Sequence, residues 1–322
     1  MTPFSQTSTQ RIGFLLIDNF ALMSFAAATE PLRAANLIAK STLYDIVTLS
    51  SGARAVPSSA GFAVPCEDLA SVGPSCQMLF VVAGGQPDDW AASRPAHAQL
   101  RRLSRLGVRL GGISSGAFIL AEAGLLSGRD FTIHWEHAPA LTEAFPDLAP
   151  RQARFVIDGD RITCGGGVAP LDLMHALIAD RMGAAFATRV SDWYLHTAVA
   201  GSEGPQRAST SLRFGTRHPA LIAALETMES RLEEPLDRER LARIAGVSIR
   251  HLDRLFRQEL NAGFVETYRN MRLDQARKLL AQSPLSISEI AFATGFSSAS
   301  HLSRCFTQKF AKSPGQCRRD AD

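Results

Sequence analysis

Between residues 241 and 310 the chain repeats itself. Leu241-Ala242, Gly246, Ser248, Leu252, Arg254 and Phe256 make a first copy. Ile290-Ala291, Gly295, Ser297, Leu302, Arg304 and Phe306 make a second, with one extra residue in the turn. Each copy reads as a short helix, a Gly-containing turn, a Ser N-cap and a second amphipathic helix. The spacing places Leu252, Phe256, Leu302 and Phe306 in a core. Two such copies predict two helix-turn-helix units, a motif whose second helix enters the DNA major groove. Residues 264–281 read as one long helix between the copies, with Val265, Met271, Leu273, Leu279 and Leu280 on its buried side. Residues 220–232 form a lead-in helix, and Asp237 caps the first motif helix.

Charge follows the same division. Residues 1–205 hold 15 Lys/Arg against 18 Asp/Glu, and residues 206–322 hold 19 against 13. A slightly acidic body joined to a basic C-terminal third places a nucleic-acid partner at the C-terminus. The five cysteines, Cys66, Cys76, Cys164, Cys305 and Cys317, include no C-x-x-C pair, which argues against a disulfide framework or a metal site. The start of the chain lacks the pattern of a signal peptide, and no apolar run reaches the ~18 residues of a membrane span. A cytoplasmic protein, at the nucleoid when bound to DNA, with no membrane partner is expected.

The first two-thirds alternate strands with helices. Apolar runs at 12–17, 44–49, 78–83, 108–113 and 131–133 predict buried strands. Helices are expected at 21–38, 95–106, 117–123, 171–182 and 184–199, and residues 155–163 form a hairpin about Asp158-Gly159. This pattern predicts an α/β domain of flavodoxin-like type with a mostly parallel sheet, followed by an all-α domain. The boundaries read as 1–199 for the first domain, 200–217 for a linker that has lost apolar periodicity, and 218–322 for the DNA-binding domain.

Gly112-Ile113-Ser114-Ser115-Gly116 matches the G-x-S-x-G nucleophile elbow and follows a predicted strand, with His134 twenty residues later. Alone, this suggests a serine hydrolase with Ser114 as nucleophile and His134 as base. Against it, small residues at a strand–turn–helix corner have a steric use of their own. No acid evidently orients His134, with Asp130, Glu136 and Asp172 only as candidates.

The C-terminal third resembles the AraC/XylS family of transcription regulators through Leu241, Arg272, Ala276, Leu279-Leu280, Ile290-Ala291, Gly295-Phe296, Leu302, Arg304, Phe306 and Ser313-Pro314. The resemblance implies a stiff linking helix that holds two recognition helices one DNA turn apart. It places Arg250, Asp253 and Arg254 of the first unit, and Ala299, Ser300, His301 and Arg304 of the second, towards base edges, with Arg257, Lys309 and Lys312 towards phosphates. Arg pairs well with guanine, and Asp accepts from a cytosine amine.

The first domain resembles the PfpI-like, class I amidotransferase-like superfamily through Ile12–Ile17 with Asp18-Asn19, Glu30-Pro31-Leu32-Arg33, Val82-Ala83-Gly84-Gly85, the elbow and His134-Trp135. Enzymes of that superfamily carry Cys at the elbow and an activating acid from the first helix region. This chain has Ser114 and Ser24 there, so no catalytic residue is assigned and a binding pocket is expected instead. The whole chain looks like the GlxA subgroup of AraC-family regulators, nearest the glycine-betaine or carnitine type. That implies a small nitrogenous effector, promoter DNA and RNA polymerase as partners, activation of a catabolic operon, a homodimer (residues 184–199 offer an apolar face), and no cofactor or metal. Glu30, Ser114, Ser115, His134 and Trp135 are the expected effector residues: backbone amides at the start of the 117–123 helix for a carboxylate, Trp135 for a quaternary ammonium and Glu30 for its charge.

Overall fold

Strand β1 (Gln10–Leu16) is a continuous apolar run because both of its faces are covered. Ile12, Phe14 and Leu16 enter one core cluster, while Leu15 enters the other. Strand β6 (Met78–Ala83) divides the same way, with Met78, Phe80 and Val82 against Leu79, Val81 and Ala83. The computed structural model describes residues 8–85, Trp90 and 93–320. Its main sheet also contains β2 (Tyr44–Ser50), β5 (Glu67–Asp68), β7 (Arg109–Ser114), β8 (Phe155–Asp158) and β9 (Arg161–Cys164), in the order β5-β2-β1-β6-β7-β9-β8. Every pairing is parallel except that of β8 with β9. Short strands β3 (Ala55–Pro57) and β4 (Ala63–Pro65) form a separate antiparallel hairpin. Helices Leu22–Ala39, Ala169–Met182 and Ala184–Trp193 cover one face, and Arg94–Arg105 and Gly116–Glu122 the other.

Three local expectations change. Residues 131–133 are not a strand. Thr132 instead fixes them through side-chain bonds: its amide donates to Thr163 Oγ1 at 2.8 Å, and its hydroxyl reaches the carbonyls of Arg151 and Ala153. The helix expected over 184–199 stops at Trp193, and Leu195 beyond it turns left-handed at φ 57°. In the linking helix Phe264–Gln282, Val265 is exposed and Phe264 and Tyr268 are buried in its place.

The chain divides into two units, Met1–Gln206 and Arg207–Asp322. In the second, helices Thr210–Phe214 and Pro219–Ser230 precede the repeat. The two motif pairs are Arg238–Ile244 with Ile249–Leu260, and Ile287–Ala293 with Ala299–Phe310; Pro314–Arg319 closes the chain. Each pair has its own core. The linking helix contributes Phe264 and Tyr268 to the first, and Leu273, Ala276, Leu279 and Leu280 to the second. Its 19 residues span about 28 Å at the usual rise. Because one rod belongs to both cores, neither pair can turn without unpacking it. Among the described residues no helix is long and apolar enough to cross a membrane.

Candidate functional site

The two second helices of the repeat are alike in burial position by position. Residues 251–260 and 301–310 show the same order of buried, half-buried and exposed positions. Leu252 matches Leu302, Phe256 matches Phe306, and Arg254 matches Arg304. Both helices end on a left-handed residue, Asn261 and Ala311. Their starts correct the sequence alignment. Ser248 caps the first through the His251 amide, but the second is capped by Ser298, through the His301 amide, and not by Ser297. Ser297 bonds the ring of His301 at 3.1 Å instead. The extra residue in the second turn is thus absorbed before the cap, which keeps the helix in register.

Arg250, Arg254, Arg257, Ser300 and Arg304 are exposed, and among the described residues the four guanidinium groups make no hydrogen bond or ion pair. His301 and Ala299 are half-buried at the helix start. Asp253 is paired with Arg238 at 3.1 Å. Lys309 is held by Asp274 at 2.6 Å and Lys312 by Asp320 at 2.7 Å, so both lysines already have acidic partners. Arg272 plays a different part. It leaves the linking helix to donate to the carbonyls of Thr294 and Gly295 in the second turn, and burial lowers its pKa.

The first unit carries the elbow. Ser114 ends β7 at φ 58° and is 6% exposed. A Cβ on Gly116 would lie 2.0 Å from the Val81 carbonyl oxygen, so the tight crossing of helix over strand requires glycine there. This is the steric use of small residues in the motif. Ser114 Oγ makes no hydrogen bond among the described residues, so no described histidine or carboxylate is bonded to it as a base. Ser24, where an activating acid was expected to align, is buried and accepts from the Gly167 amide at 2.8 Å. Ser115 is fully buried, and its hydroxyl has no partner among the described residues.

His134 and Trp135 stand together with ring centroids 5.6 Å apart. His134 also neighbours His137, which meets Trp90, and Trp90 packs at 4.9 Å on Phe118 of the elbow helix. The imidazole and indole cluster therefore meets the elbow helix through Phe118. Glu30 is placed otherwise. Its carboxylate is bonded by Arg33 at 2.6 Å and by Tyr194 at 3.3 Å, and the Arg33 bonds hold its pKa below the usual carboxylate value. Trp90, Phe118, His137 and Gln206 were not singled out in the sequence. Gln206 lies in a stretch without periodicity, yet it accepts from the Trp135 amide at 2.8 Å. The same side chain donates to Thr132 Oγ1 and to the carbonyls of Ile133 and Ala153.

Comparisons with known proteins agree with this division. The model of the DJ-1/PfpI family matches residues 10–180, and that of a helix-turn-helix domain matches residues 241–320. The chain is 65% identical over 312 residues to the HTH-type transcriptional regulator GlxA of Rhizobium meliloti, covering 97% of this chain and 96% of that protein. It is 40% identical to the HTH-type transcriptional regulator CdhR of Pseudomonas aeruginosa, over 96% of this chain and 92% of that one. The crystal structure of an AraC family transcriptional regulator from Pseudomonas putida matches with a TM-score of 0.52 at 26% identity, covering 57% of this chain and 99% of that one. With a DJ-1/PfpI unit ahead of a tandem reader, and with such identity along nearly its whole length, the chain belongs to the GlxA-type, AraC-family DNA-binding transcriptional regulators.

Proposed function

We propose that this regulator senses a small nitrogenous metabolite in its first unit and, when occupied, activates a catabolic promoter. The observation that carries the sensing half is the cluster of His134, Trp135, His137 and Trp90, which meets the elbow helix through Phe118, beside a Ser114 to which no described base is bonded. An aromatic wall suits a quaternary ammonium or similar cation, at about 0.5–2 kcal/mol per ring contact. Ser115, in the elbow itself, has a buried hydroxyl without a partner among the described residues. Glu30, held by Arg33 and Tyr194, would serve only after release from that pair. The effector residues are therefore Ser114, Ser115, His134 and Trp135, with Glu30 as a reserve charge.

On the DNA side, Arg250 and Arg254 read bases, Arg257 meets phosphate, and Arg304 does the same work from the second helix, with Ala299, Ser300 and His301 at its groove-facing start. Asp253 orients Arg238 and reaches a cytosine only by leaving it. Promoter DNA, RNA polymerase and a second copy of the chain are the partners in this reading. It is supported by the unpaired guanidinium groups and by relatives named as transcriptional regulators.

A thermal-shift series of the full chain with glycine betaine, carnitine and arginine tests the sensor, since binding to the native state raises the melting point. Footprinting with and without the binding compound tests the coupling. Silence towards all three compounds, with intact DNA binding, would remove the effector. The hydrolase alternative predicts labelling by a serine-reactive fluorophosphonate that disappears in Ser114→Ala. Because no described residue bonds the Ser114 hydroxyl, we expect no labelling, since an unactivated alcohol is a poor nucleophile.

A further inference from the structure

We propose that Gln206 is a positioning residue that ties the His134–Trp135 wall to the chain leaving for the DNA-reading unit. This rests on the effector reading above for its ligand-dependent half only. Gln206 is the last residue of the first unit. Its Oε1 accepts from the Trp135 amide at 2.8 Å. Its Nε2 lies 3.0 Å from Thr132 Oγ1, 2.9 Å from the Ile133 carbonyl and 2.6 Å from the Ala153 carbonyl. One amide side chain thus closes the backbone of the segment that presents His134 and Trp135, from a sequence distance of 71 residues. Gly165 completes the slot, since a Cβ there would stand 2.5 Å from Gln206 Cδ.

The other side of the junction is anchored as well. Only residues 207–209 separate Gln206 from the short helix Thr210–Phe214. Arg213 of that helix forms a two-armed pair with Glu229, at 2.5 and 2.6 Å. Thr216 bonds Glu259, near the end of the first recognition helix, at 3.1 Å. Each end of this short covalent path is thus fastened within its own unit. An occupant that draws on the Trp135 amide or the Ile133 carbonyl competes with Gln206 for the same groups. Gln206 then loosens, and with it the start of the path that ends at the first recognition helix.

The test uses the exposed Arg207 as a cleavage site. The full chain, Gln206→Ala and Gly165→Ala are treated with trypsin, and the rate of nicking after Arg207 is followed by mass. Gln206→Ala removes the anchor. Gly165→Ala pushes the same side chain out of its slot without removing it, and keeps the test alive if the first variant does not fold. The expected result is nicking faster by about tenfold in either variant, as for loss of several modest hydrogen bonds that hold a segment closed. Glycine betaine, carnitine or arginine, whichever raises the melting point, should speed nicking of the native chain and leave it unchanged in Gln206→Ala, although it still raises that variant's melting point. A merely structural Gln206 would leave the ligand effect on nicking in place, and that result overturns the proposal, as does unchanged nicking in both variants. Faster nicking in both variants with no melting shift from any compound keeps the positioning role and removes the effector reading instead.

Discussion

The guanidinium of Arg272 lies 4.2 Å over the ring of Phe296 and, from the same position, donates to the Thr294 carbonyl at 2.8 Å. The linking helix is thereby fastened to the turn of the second motif by stacking and by hydrogen bonds at once. Arg272→Ala should destabilise the chain by about 2–4 kcal/mol, since it leaves buried carbonyls unpaired and a ring uncovered. Arg272→Lys should recover less than half, because an ammonium lacks the planar fork. Urea midpoints of the three proteins check this, and equal stability of all three would refute it.

Gly246 and Gly295 occupy equivalent left-handed turn positions, at φ 68° and 72°, but only one of them is crowded. A Cβ on Gly295 would stand 2.6 Å from the Leu232 carbonyl oxygen and 2.8 Å from that of Glu233, whereas nothing lies within 4 Å at Gly246. Tyr268 fixes the same 231–236 loop by donating to the Arg231 carbonyl at 2.6 Å. Gly246→Ala should therefore cost about 1 kcal/mol from backbone strain. Gly295→Ala should cost at least ~2 kcal/mol more, because backbone must move. Calorimetric melting of both variants measures the difference.

The matched arginines give a prediction on DNA. Arg254→Ala and Arg304→Ala should each weaken binding to an operator selected from random DNA by about 1–3 kcal/mol if they read bases, with relaxed specificity at one position. Arg257→Ala should weaken all sequences alike and reduce the salt slope by about one charge. Ser300→Ala should change little. Titrations at several salt concentrations separate the two behaviours.

Asp172 has a fully buried side chain that receives Arg154, His196 and the Ala200 amide, the last two at 2.8 Å. Asp172→Ala should cost about 3–5 kcal/mol by leaving the half-buried Arg154 and His196 without their buried carboxylate partner. Chemical denaturation of the variant measures that loss directly.

His175 packs beside this network and meets Ser191 at 2.9 Å. Burial lowers its pKa below the ordinary imidazole value of 6.5, so the unfolded chain takes up this proton first on acidification. Its contribution is complete above the unfolded pKa and declines as pH falls towards the folded one. Melting points from about pH 8 to pH 5 should fall less steeply in His175→Gln than in the native chain; parallel curves would show that His175 is not the group responsible.

Periodicity alone determined the two-part plan. The alternating and continuous apolar runs of β1 and β6, the helical spacing about Leu252 and Leu302, and the glycine turns at 246 and 295 are local signals. Each reflects a backbone conformation and a buried face that neighbouring residues impose. The identity of the cap, Ser298 rather than Ser297, turned on a single residue in a loop, where spacing has no period to read. Val265 was assigned inward because a helix pattern identifies a stripe without saying where the stripe begins to drift.

What only the tertiary structure decided are the partnerships made across the chain: Glu30 with Tyr194, Ser24 with the Gly167 amide, Arg272 with the second turn, and Gln206 with the wall of His134 and Trp135. Such bonds depend on two distant segments arriving within about 3 Å of each other. No residue spacing records that distance, because packing of the intervening sheet and helices sets it.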